Sequence, residues 1–292
     1  MKEKVFVVIV NYNGGRLLNR ALKSVYALRT DHVEVVIVDN ASRDGSLEMC
    51  RKSFSRAHTI CNTENVGFSS AANIGIRFSL EHNATHILLL NPDAYIAADI
   101  LTHLLAAMRD DEHIGIASPV IFKGKTKKIW FSGGRVSFMR FRATHNDGMY
   151  QVGMKCPYNT QYITGCALFA KKEVFKDVGL FDERYFLYYE DADLSLRAHH
   201  KGFLCTIVPQ AHAWHDEVSE DENQKKIYWL VLNGLRFFQV HTPFFIKPWF
   251  YLHLFLRRLK NILQMKIAPN ETQKMISQAF HDYAQKNNSK EN

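Results

Sequence analysis

Short runs of β-branched and apolar residues at 5–10, 33–38, 86–90 and 114–119 alternate with amphipathic stretches over the first 119 residues. This alternation limits the chain more than any other feature. Leu17, Leu18, Ala21, Leu22, Val25 and Leu28 recur at helical spacing, as do Ala72, Ile76 and Leu80, and Leu101, Leu104, Leu105 and Met108. A strand and helix series of this kind predicts an α/β fold with a mainly parallel sheet covered by helices on both faces. Ligands of such sheets bind beyond the carboxyl ends of the strands, which here read Asn11 to Asn13, Asp39 and Asn40, and Asn91 to Asp93.

The formal net charge of +8 is concentrated at one end. Residues 1–224 hold 26 basic and 26 acidic side chains, whereas residues 225–292 hold 11 and 3. A nucleic-acid binder usually carries its basic stripe on the folded domain, so no nucleic-acid partner is expected. Five scattered cysteines without a CxxC pair suggest neither a disulfide framework nor a zinc site, and a reducing, cytoplasmic setting is the simplest expectation. The apolar run at 5–10 is too short for a signal-peptide core, and no stretch has the roughly 18 apolar residues of a spanning helix.

Candidate chemistry gathers at strand ends and in one acidic cluster. Asp93 follows the apolar strand Leu88-Leu89-Leu90, where a carboxylate suits Mg²⁺ or Mn²⁺ shared with phosphates; Asn-Pro-Asp also suits an ordinary turn. Asp39, alone an Asx turn, stands near Asn11 and Tyr12, which suggests a base contact with Tyr12 stacking. His215 could add a nitrogen ligand, and the sequence does not choose between it and His212. Asn65-Val66-Gly67-Phe68 reads as a turn whose following amides face a phosphate. In Tyr-Glu-Asp-Ala-Asp-Leu, Asp191 reads as the N-cap of a helix over 192–201 and equally as a proton acceptor, with Glu190 and Asp193 in support and Asp193 placed to pair with Arg197. Neither G-x-G-x-x-G nor a P-loop is present, which removes the main support for a dinucleotide oxidoreductase or a P-loop kinase.

Taken in order, Val8 to Asn13, Val38 to Ser42, Asn65 to Asn73, Leu90 to Asp93, Gly165 to Ala167, Val178 to Phe186, the Glu190 cluster and Pro209 to His215 resemble the inverting family 2 glycosyltransferases of GT-A fold. The resemblance covers roughly residues 5–235. It implies a Rossmann-like mixed sheet, a nucleotide-sugar donor and a bound Mg²⁺ or Mn²⁺. It also implies nucleotide contacts from Asn11, Tyr12, Asn13, Asp39, Asn65, Gly67, Asn73 and Asn91, metal ligation by Asp93 and His215, and Asp191 as the base. Gly165, Cys166, Glu190 and Trp130 are then expected near the donor sugar and acceptor. Asn91 replaces a second Asp of many relatives, and Asn-Pro-Asp is similar to the rhamnosyltransferase-like branch, which points to dTDP-rhamnose and leaves a UDP-sugar open. The Gln-x-x-Arg-Trp signature of processive synthases is absent.

These readings divide the chain into a catalytic domain over 1–224, with a nucleotide half over 1–119 and an acceptor half over 120–224, and an extension over 225–292. Residues 120–160 lose the alternation and read as irregular, and 216–222 read as an acidic connector. Residues 228–263 carry ten aromatics interleaved with Arg236, Lys247, Arg257, Arg258 and Lys260. That mixture suits a helix at an anionic membrane surface, peripheral on the cytoplasmic face, or helices packed against protein, including a homodimer interface. A glycan or lipid-linked glycan is the expected acceptor. The competing classes are a non-catalytic sugar-nucleotide scaffold, disfavoured by Asp93 and Asp191, and a sugar-nucleotide pyrophosphorylase, whose longer Gly-rich loop is missing.

Overall fold

A computed structural model describes residues 3–28, 32–126, 128–145, 149–216, 223–267 and 269–288. Most of the connector read at 216–222, and the polar last residues, lie outside this set. The described parts of Met1–Arg135, Thr144–Phe186 and Glu190–Val218 form one compact unit, and those of Val136–Ala143, Leu187–Tyr189 and Ser219–Asn292 form a second. The second unit thus takes in two short stretches that the sequence assigns to the acceptor half.

The first unit is built on β1 (Val5–Asn11), β2 (Val33–Asp39), β3 (His58–Cys61) and β4 (His86–Leu90), parallel in the order β3-β2-β1-β4. All seven residues of β1 are buried, as expected for a strand covered on both faces. α1 (Gly15–Tyr26), α2 (Ser46–Ser53) and α3 (Phe68–Glu81) provide the crossovers, and α1 buries Leu18, Ala21, Leu22 and Val25 from one stripe. Beyond β4 the sheet becomes mixed. β11 (Ala167–Lys171) runs antiparallel to both β4 and β6 (Ile114–Lys123), and β12 (Leu204–His215) runs parallel to β6.

Two features set the position of the site. Asn11 lies opposite Asp39 in the β1/β2 register, so the two polar strand ends meet. β5 (Ala94–Ile96) then pairs antiparallel with the end of β12, placing Ala94 opposite His215 and so carrying Asp93 to that histidine. The segment read as irregular contains short strands: β7 (Ile129–Phe131), β8 (Gly134–Ser137), β9 (Arg142–His145) and β10 (Tyr158–Asn159). Elements of two to four residues are too short to show a period of two. α4 (Ile100–Asp110), α5 (Lys172–Asp177) and α6 (Glu190–His200) complete this unit.

The second unit has a core of its own. In it α7 (Asn223–His241) and α9 (Glu271–Asn288) bury Val231, Leu232, Leu235, Ala279, Phe280 and Tyr283 together, and Asn261 of α8 (Lys247–Ile267) donates to Ser277 Oγ at 2.6 Å. None of the described helices is long and apolar enough to cross a membrane.

Candidate active site

The ends of β1 and β2 are locked by a polar cluster. Asn11, fully buried, donates through Nδ2 to Asp39 Oδ1 (2.7 Å) and to the hydroxyls of Ser42 and Ser46 (both 3.0 Å), while its Oδ1 accepts from the Gly14 amide at 3.2 Å. Its side chain is therefore committed inside the protein, beneath the edge where a nucleoside contact was expected. Asp39 also accepts from the Ser42 amide at 2.9 Å. Asn13 sits at φ 53° and accepts from the Arg43 amide at 2.9 Å. Tyr12 is 48% exposed at this edge, the one ring of the cluster free to stack. Asp44, which the sequence analysis did not single out, joins the two strand ends: it accepts from the Gly15 amide at 2.8 Å and the Ser46 hydroxyl at 2.6 Å. Burial opposes its charge, but the bonds from Ser46 and Gly15 outweigh burial and hold its carboxyl below the usual range.

A second cluster fixes the loop before α3. Asn65 Oδ1 accepts from the Gly67 amide (3.0 Å) and from Asn40 Nδ2 (3.2 Å). Gly67 has φ 86°, and a Cβ there would lie 2.7 Å from both the Phe186 ring and the Phe186 carbonyl oxygen, so only glycine fits. The first amide of α3, expected to face a phosphate, is engaged within the protein. Phe68 N donates to Phe186 O at 2.8 Å and Ser69 Oγ to Tyr185 O at 2.5 Å, so that end of the helix is capped by the segment leading to α6. Asn73, also assigned to the nucleotide, is buried and latches the same segment. It donates to Phe181 O and Glu183 Oε1 (both 2.9 Å) and accepts from the Phe181 amide at 3.0 Å.

At the end of β4, Asn91 N donates to Cys166 O at 2.9 Å, tying the Asn-Pro-Asp turn to β11. Asp93 Oδ1 lies 3.1 Å from His215 Nε2, is buried, and makes no hydrogen bond among the described residues; His215 Nδ1 is likewise buried and without a partner. A carboxylate oxygen and an imidazole nitrogen brought this close are a ligand pair that suits a divalent cation. No group of three or more His, Cys, Asp or Glu is placed for a metal among the described residues, so such a cation would take its remaining oxygens from elsewhere. His212 is on the other face of β12, where its ring meets Phe122 at 5.5 Å and burial lowers its pKa. The alternation along the strand separates the two histidines. Trp130 covers His215, with ring centroids 4.3 Å apart, and His145 lies edge-on to Trp130 at 4.7 Å.

Asp191 lies inside the first turn of α6, which begins at Glu190, and so is not the N-cap. Its Oδ2 accepts from the Gly165 amide at 3.0 Å and its Oδ1 from the Ala192 amide at 2.7 Å. Burial raises its pKa, these two bonds oppose the rise, and His145 adds to the opposition. Glu190 is driven well above the carboxylate range, by burial first and Asp191 second, and its Oε2 has no partner. Of the two, Glu190 is raised further and holds its proton to higher pH, whereas the amide bonds favour the anion of Asp191. Tyr188 and Tyr189, just before them, hold φ of 70° and 72°, a strained backbone for bulky residues. Asp193 pairs with Arg197 at 2.8 Å as the spacing predicts, and Arg197 donates to Val178 O and Leu180 O (both 2.9 Å). Cys166 is buried, its thiol pushed up by burial and then by Asp93 and Asp191, so it lies within electrostatic reach of both. His145 was not anticipated, because it ends a four-residue strand in the unreadable segment.

The model of Glycosyl transferase family 2 matches residues 6–179. The dTDP-rhamnosyl transferase RfbF of Shigella flexneri is 30% identical over 220 residues, spanning 74% of this chain and 70% of the relative. An N-acetylglucosaminyl-diphospho-decaprenol L-rhamnosyltransferase of Mycobacterium tuberculosis is 26% identical, spanning 74% of this chain and 76% of the relative. The mannosyltransferase PcManGT of Pyrobaculum calidifontis, solved with GDP-Man and Mn²⁺, aligns with a TM-score of 0.60 at 17% identity over 97% of this chain and 76% of its own. GalNAc-T7, solved with UDP, GalNAc and Mn²⁺, aligns at 0.62 and 19% identity over 80% of this chain, which spans about half (51%) of that longer protein. The mixed sheet flanked by helices is the fold these structures share. With its strand-end motifs inside the matched region and a rhamnosyl transferase among its nearer relatives, this chain belongs to glycosyl transferase family 2.

Proposed function

We propose that this glycosyltransferase moves a sugar, rhamnose from dTDP-rhamnose, to a hydroxyl of a glycan joined to a lipid through a diphosphate, with inversion at the anomeric carbon. The relatives' names support the donor, and one of them supports the acceptor. The carrying observation is Asp191, a carboxylate oriented by two backbone amides and linked through Gly165 and Cys166 to the Asn91 end of the turn that bears Asp93.

Asp93 and His215 fit a Mg²⁺ or Mn²⁺ ion, because Asp93 Oδ1, buried and without a hydrogen-bond partner, faces His215 Nε2 at 3.1 Å. Such an ion, when bound, would neutralise charge on the leaving nucleoside diphosphate. The chain's own residues do the rest. Tyr12 covers the base at an edge kept rigid by Asn11, Asp39 and Asp44. Gly165 and Ala192 amides hold Asp191 in line to accept the acceptor hydroxyl's proton, and the oxygen so freed attacks the anomeric carbon as the nucleoside diphosphate departs. Protonated Glu190 keeps a second negative charge away from that oxygen. A thermal-shift panel of dTDP- and UDP-sugars with and without Mn²⁺ tests this reading. The largest shift is expected for dTDP-rhamnose with metal; a larger shift with a UDP-sugar reassigns the donor, and no shift with any nucleotide leaves only a scaffold.

A further inference from the structure

The second unit holds a cavity of about 780 Å³ that the transfer reaction, as derived above, does not use. Its walls are the turn between β8 and β9, one stripe of α7 and one face of α8. Phe141 of the turn packs against Phe238 of α7 (5.6 Å) and Phe250 of α8 (5.2 Å), and Trp249 Nε1 donates to Met139 O at 3.0 Å. Gly234 admits the Tyr189 ring to α7, since a Cβ there would meet the Tyr189 hydroxyl at 3.1 Å. The cavity is therefore a built feature of this unit.

Arg140, Arg142, Arg257 and Lys260 all line it, and no Asp or Glu does. No ion pair within the described residues uses any of the four. α8 has no acidic residue in its 21 positions. Arg257 titrates below its usual value, chiefly through burial, with Tyr189 opposing the shift and Arg142 adding to it, and His253 is lowered by burial and then by both arginines. Like charges held together without a counter-charge create a site for an anion carrying more than one negative charge.

An apolar stripe of α8 adjoins the cavity at Leu256. Leu252, Phe255, Leu256, Leu259, Ile262 and Leu263 of α8 are each 42–62% exposed and recur at helical spacing, so they form one solvent-facing stripe. Leu256 belongs to both the stripe and the cavity wall. A free nucleotide or sugar phosphate would match the cations but leave the stripe uncovered. An amphiphile with a phosphate head satisfies both.

We propose that this cavity binds the diphosphate that joins a lipid to the acceptor sugar, with the lipid chain laid along the α8 stripe; this rests on the reading that the acceptor is lipid-linked. Tyr189, which immediately precedes Glu190 in the chain, lines the cavity.

The test compares the full chain with Arg142→Gln/Arg257→Gln and with Lys260→Gln. Each is given an N-acetylglucosaminyl diphospholipid in phosphatidylcholine vesicles, or the same sugar as a soluble glycoside without phosphate. The variants should raise KM for the lipid-linked acceptor about tenfold or more, leaving nucleotide affinity and turnover of the soluble glycoside unchanged. With nucleotide sugar and Mn²⁺ saturating, inorganic pyrophosphate should raise KM for the lipid-linked acceptor in the wild type only. Variants that use the lipid-linked acceptor like the wild type overturn the pocket, as does wild-type binding to phosphatidylglycerol vesicles equal to that on the diphospholipid. A wild type that binds nucleotide and glycosylates only the soluble sugar overturns the acceptor reading itself.

Discussion

Asp191 and Glu190 are adjacent, and burial raises both carboxyls, yet they play different parts because only Asp191 has hydrogen bonds that favour its anion. The sign of the pH dependence follows. An acid whose folded pKa lies above its unfolded value holds its proton longer when folded, so its contribution to stability falls as pH rises from about 4.3 towards the folded value. Glu190→Gln removes that loss, so its melting temperature should exceed the wild type's by a margin that grows from pH 4 to pH 7 in a thermal melt. The same variant should keep most of its activity, since glutamine mimics the protonated acid. For Asp191, raised less, the acid limb of kcat/KM should lie above the ordinary aspartate value; a limb at or below that value would contradict its burial. The sequence shows this cluster as three carboxylates among aromatics. It does not show which one is charged, because that depends on the Gly165 amide, 26 positions away.

At the scale of elements, β1, β2, β4 and the first part of β6 were legible because long, buried parallel strands are apolar throughout. α6 was legible from its Asp193–Arg197 spacing. The partnership of β5 with β12 was not, since a three-residue strand has no pattern of its own, and yet it brings Asp93 to His215 and separates His212 from them. The latch made by Asn73 was hidden for a similar reason: its partners at 181–183 are distant in sequence. Asn73→Ala leaves the Phe181 amide and carbonyl unpaired in a buried place, so urea unfolding should show a loss of about 1–3 kcal/mol. Gly67→Ala should cost at least as much and also weaken nucleotide-dependent stabilisation, because Phe186 cannot move aside without shifting the segment that enters α6. An alanine variant with wild-type stability would show that this loop is not held as described.

On the scale of the whole chain, the charge count located the basic extension, and the ordered motifs located the family. What sequence could not supply is the assembly of the second unit, where a turn at 138–141 and the residues before α6 join the helical extension. Those contacts rest on Phe141 at φ 49° and on glycine at 234, neither of which announces a cavity in advance. At this scale Asp93→Ala should remove the EDTA-sensitive part of nucleotide affinity in calorimetry while leaving the fold intact. Equal affinity with and without EDTA in the wild type would remove the metal from the account. The most direct measurement is single-turnover transfer from dTDP-rhamnose, with saturating Mn²⁺ and acceptor, in the wild type and Asp191→Asn. The expected result is a rate lower by about 10²- to 10⁴-fold with donor affinity within about twofold, and transfer by Asp191→Asn at the wild-type rate would contradict the assignment of the base.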